Sequence, residues 1–267
     1  MLKINDIVAK LNEAFPLEHS DIFCKVFDGY DNSGLIANVS EYTDKLVFAL
    51  DLSEKVVEYA VENGAQMIVT HHPAIYRPIK ELGSNIDTRG LMCAIKNGIT
   101  VYSMHLNADV GVNGIDESLM RASGGVNGKI CQQIKENCGY GRVFEVKEQT
   151  LNDFVTNLKN NLQTDFMPVY GDINMPIKTA GTFCGAGGST AVQYSNEVDV
   201  VVSSDLPHHI IATLVYNGKA VVTPTHYASE NFGFKIIYNT FKKENTQIEC
   251  LYYDDVRLTP SCITINK

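Results

Sequence analysis

Between Lys45 and Met104, short apolar runs alternate with stretches of helical periodicity, and this alternation constrains the fold more than any other feature of the chain. Residues 46–50, Leu-Val-Phe-Ala-Leu, suit a buried strand. Ser53 and Glu54 then open a helix that carries Val56, Val57, Ala60 and Val61 on one face and ends at Asn63-Gly64. Residues 67–70 form a second strand. A helix over residues 88–96 stops at Asn97-Gly98, and residues 99–104 form a third strand. Strand, helix, strand, helix, strand predicts a parallel α/β sheet with right-handed crossovers.

The rest of the chain extends that reading. Ile4, Ile7, Val8, Leu11 and Phe15 follow helical spacing at the start, with Asn5 or Asp6 placed to cap the first turn. From about Gly124 to Gly141 the chain turns glycine-rich and polar, which suggests a domain boundary. A second unit follows: a helix marked by Leu151, Phe154, Val155 and Leu158, strands at residues 178–183 and 198–202, a helix at 208–216 and a strand at 220–222. The fold class expected is α/β, with mainly parallel or mixed sheets.

Several classes of function are excluded by composition. The formal net charge is −9 and the 22 Lys and Arg are scattered, so a footprint for phosphate backbones is missing and nucleic acid is not an expected partner. The first residues lack the basic and apolar regions of a signal peptide, and no apolar run approaches the roughly 20 residues needed to span a bilayer. Seven dispersed cysteines (24, 93, 131, 138, 184, 250 and 262) form no Cys-x-x-Cys pair and read as core residues of a reducing compartment. A cytoplasmic protein without a membrane partner is expected.

The chemistry concentrates at strand ends. Residues 69–70 run into His71-His72, residues 103–104 into His105 and then Asp109, and residues 221–222 are followed by His226 and Glu230. In open parallel sheets the carboxyl ends of strands line one crevice, so distant segments converge there. A single histidine is usually a satisfied core or surface residue, but six of the seven here follow predicted strands. Imidazole nitrogen with carboxylate oxygen suits Zn, Fe, Mn, Co or Ni. His226 and Glu230, four apart, share a helix face, and adjacent His71 and His72 can splay toward different ions. Five donors exceed the needs of one open zinc site, so two divalent metal ions sharing a carboxylate are expected of His71, His72, Asp109, His226 and Glu230.

These segments resemble the GTP cyclohydrolase I type II homologue family, also called NIF-three-like. The resemblance runs through Asp31-Asn32-Ser33-Gly34-Leu35, Ala49-Leu50-Asp51, Thr70-His71-His72-Pro73 with Arg77-Pro78, and residues 105–109. It continues through Ser204-Asp205-Leu206-Pro207-His208-His209 and residues 226–230. It implies that His71 and Asp109 hold one ion, His72 and His226 the other, and that Glu230 touches both. It further implies two α/β domains: a metal domain of residues 1–123 completed by 224–267, and an inserted second domain of residues 124–223. A ring-shaped homohexamer is also implied, with this chain the short form. The chain departs from the family after Gly34-Leu35, where Ile36-Ala37-Asn38 replaces a further glycine.

Two functions follow as expectations. In the first the protein is a metal-dependent hydrolase acting on a small molecule, with opening of a purine nucleotide ring implied by the family name, and with His105 or His209 orienting groups or moving a proton. In the alternative the ring is a metal-stabilised scaffold or regulatory protein that binds another macromolecule. Gly185, Gly187, Gly188 and Ser189 could offer backbone N–H groups to a phosphate, although a tight turn is the plainer reading. A dinucleotide-binding sheet is disfavoured, because the full Gly-x-Gly-x-x-Gly spacing is absent.

Overall fold

A computed structural model describes residues 1–261 except Ser84 and Asp87. Cys262 lies outside the described residues. The chain divides into two compact units, one of Met1–Val112 with Phe234–Asp255, the other of Asn113–Gly233 with the described residues from Val256 onward. The mixed α/β class expected from the sequence is the one observed.

The first unit is built on a five-stranded sheet in the order Glu249–Tyr253, Lys45–Ala49, Met67–Thr70, Thr100–Ser103, Gly34–Ala37. The first four strands are parallel, and the last lies antiparallel at the edge. Helices Glu54–Glu62 and Arg89–Lys96 form the crossovers and cover one face, where Val56, Val57, Leu91 and Ala94 pack on Val47, Ile68 and Val101. On the other face Phe48 meets Phe234 and Phe241, with ring centroids 6.0 and 5.7 Å apart. Burial on both faces is why the three central strands read as nearly continuous apolar runs rather than alternating ones.

Local signals act as expected at several ends. Ser53 caps its helix by accepting from the Val56 N–H, and Gly64 and Gly98 leave their helices at φ +70° and +66°. Other details differ. The first helix, Ile4–Ala14, is capped at Lys3, so Asn5 and Asp6 lie inside its first turn instead of capping it. Val61 is 48% exposed, because the buried stripe of its helix runs through Val56, Val57 and Ala60 and turns away before it. The segment that departs from the family pattern is itself the edge strand, with an irregular register between Leu35 and Ala37.

The second unit carries a six-stranded sheet in the order Lys129–Lys135, Cys138–Thr150, Pro176–Ala186, Val200–Ser204, Ala220–Val222, Val169–Tyr170. Its three middle strands from Pro176 to Val222 are parallel, and the flanking ones are antiparallel. Phe183, Val201, Leu214 and Val221 form its core. A register shift between Phe183 and Ala186 breaks the pairing with Val200–Ser204, so residues 184 and 185 bulge from the ladder. The helix His226–Glu244 begins in this unit and continues into the first. Among the described residues, no helix is long and apolar enough to cross a membrane.

Candidate metal centre

In the first unit the parallel register aligns Ala49, Thr70 and Ser103 in one row. Two residues past that row stand Asp51, His72 and His105, so three distant segments leave the sheet side by side. The turn after Thr70 is fixed by the N–H groups of His71 and His72, which both donate to the Leu50 carbonyl at 3.1 and 2.9 Å. The three imidazoles then gather: His71 lies 4.8 Å from His72 and 5.3 Å from His105 between ring centroids. One ring nitrogen of each is within 4.8 Å of the other two, so these histidines are positioned to hold a metal ion.

Each ring is aimed by an oxygen acceptor. His71 Nδ1 lies 2.8 Å from the Met104 carbonyl, His72 Nδ1 2.7 Å from Asp51 Oδ1, and His105 Nδ1 2.8 Å from Asp31 Oδ1. Acceptors of this kind take a proton from Nδ1 and leave the Nε2 lone pair facing outward. His71 is fully buried, and its Nε2 faces Asp109 Oδ1 at 3.6 Å, beyond hydrogen-bond length. Asp109 sits in the short helix Leu106–Val110 and is 4% exposed.

The second unit repeats the device. His226 and Glu230 are the first and fifth residues of their helix, one turn apart. His226 Nδ1 lies 2.5 Å from Asp205 Oδ2, and Nε2 lies 3.0 Å from Glu230 Oε2. Asp205 directly follows the strand Val200–Ser204 and holds a left-handed φ of +49°, a conformation that Asp tolerates better than most residues. Glu230 is 3% exposed, and a carboxylate that deep needs a cation or a dense set of donors.

Gly185 makes room for that carboxylate. It has φ +57°, and a Cβ built on it would collide with Glu230 Oε1 and come within 3.3 Å of His226 Cε1. Its N–H donates to Ser229 Oγ at 3.4 Å, and the Gly187 N–H donates to Ser203 Oγ at 2.8 Å. Two donors of the loop expected to cradle phosphate are therefore engaged by serines. Gly188 and Ser189 merely open the six-residue helix Gly188–Gln193. His209 is exposed on the helix His208–Tyr216, outside every donor group among the described residues that could hold an ion.

Asp31, Asp51 and Asp205 are the functional residues that the motif reading overlooked, although each lies in a segment that carried the family resemblance. Asp31 also accepts from the hydroxyls of Ser20 and Ser33, and the backbone N–H of His105 donates to Ser33 Oγ at 3.0 Å. Burial alone would raise the Asp31 pKa, yet the His105 hydrogen bond and charge, with the two serines, hold it down to about 2. Burial likewise opposes a charged His105, but the Asp31 hydrogen bond and the charges of Asp109 and Asp31 outweigh it and raise its pKa. The Asp31 contribution to stability is complete above its ordinary 3.8 and lost as pH falls through about 2; that of His105 is complete below 6.5 and lost as pH rises through its raised value. In metal-free protein, Asp31→Asn is expected to lower the His105 pKa, read from the ring-proton chemical shift. An unchanged titration would mean that Asp31 does not set it.

The donor chemistry fits divalent first-row metals. Ligating histidines characteristically give their second nitrogen to a carboxylate or carbonyl, and all four rings described above do so. Comparison with known proteins adds an independent line. The family model Duf34/NIF3 (NGG1p interacting factor 3) matches residues 2–256. A Clostridium perfringens protein named GTP cyclohydrolase 1 type 2 homolog is 28% identical over 235 residues, covering 86% of this chain and 87% of its own. Among solved structures, a hypothetical protein of Staphylococcus aureus superposes with a TM-score of 0.83 at 23% identity, covering 98% of this chain and 99% of its own. Reduced HcgD from Methanocaldococcus jannaschii gives 0.79 at 27% identity, with 95% and 98% covered.

Proposed function

The chain belongs to the Duf34/NIF3 family, and from that premise we propose that it holds two divalent ions and hydrolyses a small molecule at them. In this reading His71 and Asp109 would hold one ion, His72 and His226 the other, and Glu230 would serve both. The observation that carries this reading is the shared state of four imidazoles, each with Nδ1 tied to an oxygen acceptor. It is supported by His226 and Glu230, one turn apart on the helix His226–Glu244, with Nε2 of the one 3.0 Å from Oε2 of the other. Bound there, two divalent ions would supply Lewis acidity and lower the pKa of a bound water. His105, backed by Asp31, moves the proton that hydrolysis releases to the leaving group. A purine nucleotide is the first substrate to try, because relatives carry the name GTP cyclohydrolase 1 type 2 homolog.

The homohexamer implied by the family, and a reducing cytoplasm, complete the reading; six described cysteines are thiols outside any disulfide. A metal-stabilised scaffold is the second reading, favoured by the family description as an interacting factor. Glu230→Gln separates the two. The hydrolase reading expects turnover of nucleotides and related amides or phosphoesters to vanish in this variant while the oligomer persists. A metal-loaded wild type that turns over nothing in such a panel, yet co-purifies with a protein partner, overturns it in favour of the scaffold.

A further inference from the structure

Arg77 differs in its surroundings from three other arginines of the chain. Arg89, Arg121 and Arg142 each pair with a carboxylate. Arg77 instead lies over aromatic rings, its Cζ 4.2 Å from the Tyr30 centroid and 5.2 Å from that of Tyr76, and no carboxylate oxygen of the described residues lies within 4.0 Å of it. Arg77 and Tyr76 are exposed.

The rack under the guanidinium is built. Tyr30 and Tyr76 meet edge to face with centroids 5.5 Å apart, and the Tyr76 hydroxyl donates to the Tyr30 carbonyl at 3.2 Å. Asn32 donates to the Ile75 carbonyl at 2.5 Å, so the segments carrying the two tyrosines are clasped on both sides of the ring pair. Tyr76 also stands edge-on to His105, centroids 5.8 Å apart. Arg77 is therefore one aromatic ring away from the three-histidine group.

A guanidinium stacked on rings keeps its N–H edges for an oxyanion, carboxylate or phosphate, which it can bind bidentately. We propose that Arg77, held by Tyr30 and Tyr76, is the oxyanion subsite of the metal centre, and that the molecule handled there carries a phosphate or carboxylate. This deepens the hydrolase reading and rests on it for what the subsite serves, but not for what it binds.

The probes are phenyl phosphate and benzoate, with benzyl alcohol as the neutral control, titrated into metal-loaded and chelator-treated protein. At least one anionic probe binds and benzyl alcohol does not; the tighter probe identifies the oxyanion. Arg77→Ala weakens that binding by about 10- to 100-fold, as expected for hydrogen bonds between charged groups. Arg77→Lys weakens it less, keeping charge but losing the fork. Metal content by elemental analysis stays unchanged in both variants. Arg77→Ala binding both anions as the wild type does, or a wild type that binds neither, overturns the proposal. Wild-type protein devoid of metal overturns the dinuclear reading alone, since chelator-treated protein still reports on Arg77.

Discussion

Asp116→Ala is expected to lower the stability of the chain by about 3–5 kcal/mol, the cost of leaving one member of a buried ion pair without the other. Asp116 is fully buried, and Arg142, 2% exposed, pairs with its Oδ2. Without Asp116, the guanidinium keeps the Gly139 carbonyl at 3.3 Å. The same aspartate accepts the Cys184 N–H on Oδ1 at 3.2 Å, while the Tyr140 hydroxyl donates to the Cys184 carbonyl at 2.6 Å. Cys184 precedes Gly185, so the pair also anchors the bulge that admits Glu230. Urea denaturation measures the loss, and joint replacement of Asp116 and Arg142 by apolar residues is expected to recover most of it. A loss below about 1 kcal/mol would mean that the pair is not desolvated as described.

Gly185→Ala is expected to leave the fold intact and to weaken ion retention by about 10- to 100-fold or more, the range seen when groups that orient ligands are disturbed. Two effects add. The left-handed φ of +57° costs a non-glycine residue about 1 kcal/mol, and the new Cβ displaces the Glu230 carboxylate. Gly188→Ala separates them, because Gly188 has φ +46° with open space where the Cβ would go. It carries the backbone cost without the collision, so its metal content should match the wild type. Equal losses in both variants would place the effect in the backbone and not at Glu230.

The parts of the fold legible in the sequence are those where a single physical cause dominates. Residues 46–49, 67–70 and 100–103 are buried on both faces and carry no charged side chain, and Ser53, Gly64 and Gly98 punctuate the pattern by capping chemistry. The hairpin of Lys129–Lys135 and Cys138–Thr150 was hidden, because the first of these strands is largely half-buried and polar, with no clean period of two. The edge strand Gly34–Ala37 is short and irregular in register. The aspartates that aim the imidazoles escaped for a different reason. Asp51 reaches His72, Asp205 reaches His226 and Asp31 reaches His105 from 21 to 74 residues away, and only strand register and loop clasps bring them together. An acid within two residues of a strand end is the signal that could have exposed Asp51 and Asp205, just as it exposed the histidines.

Elemental analysis of protein purified without added metal tests most directly whether these imidazoles and carboxylates chelate ions. Ligation needs neutral imidazoles, so occupancy should fall as pH drops below about 6.5. The wild type at neutral pH is expected to retain close to two divalent ions per chain, and His71→Ala distinctly fewer. A folded wild type without bound metal, or His71→Ala retaining the full complement, would contradict the account.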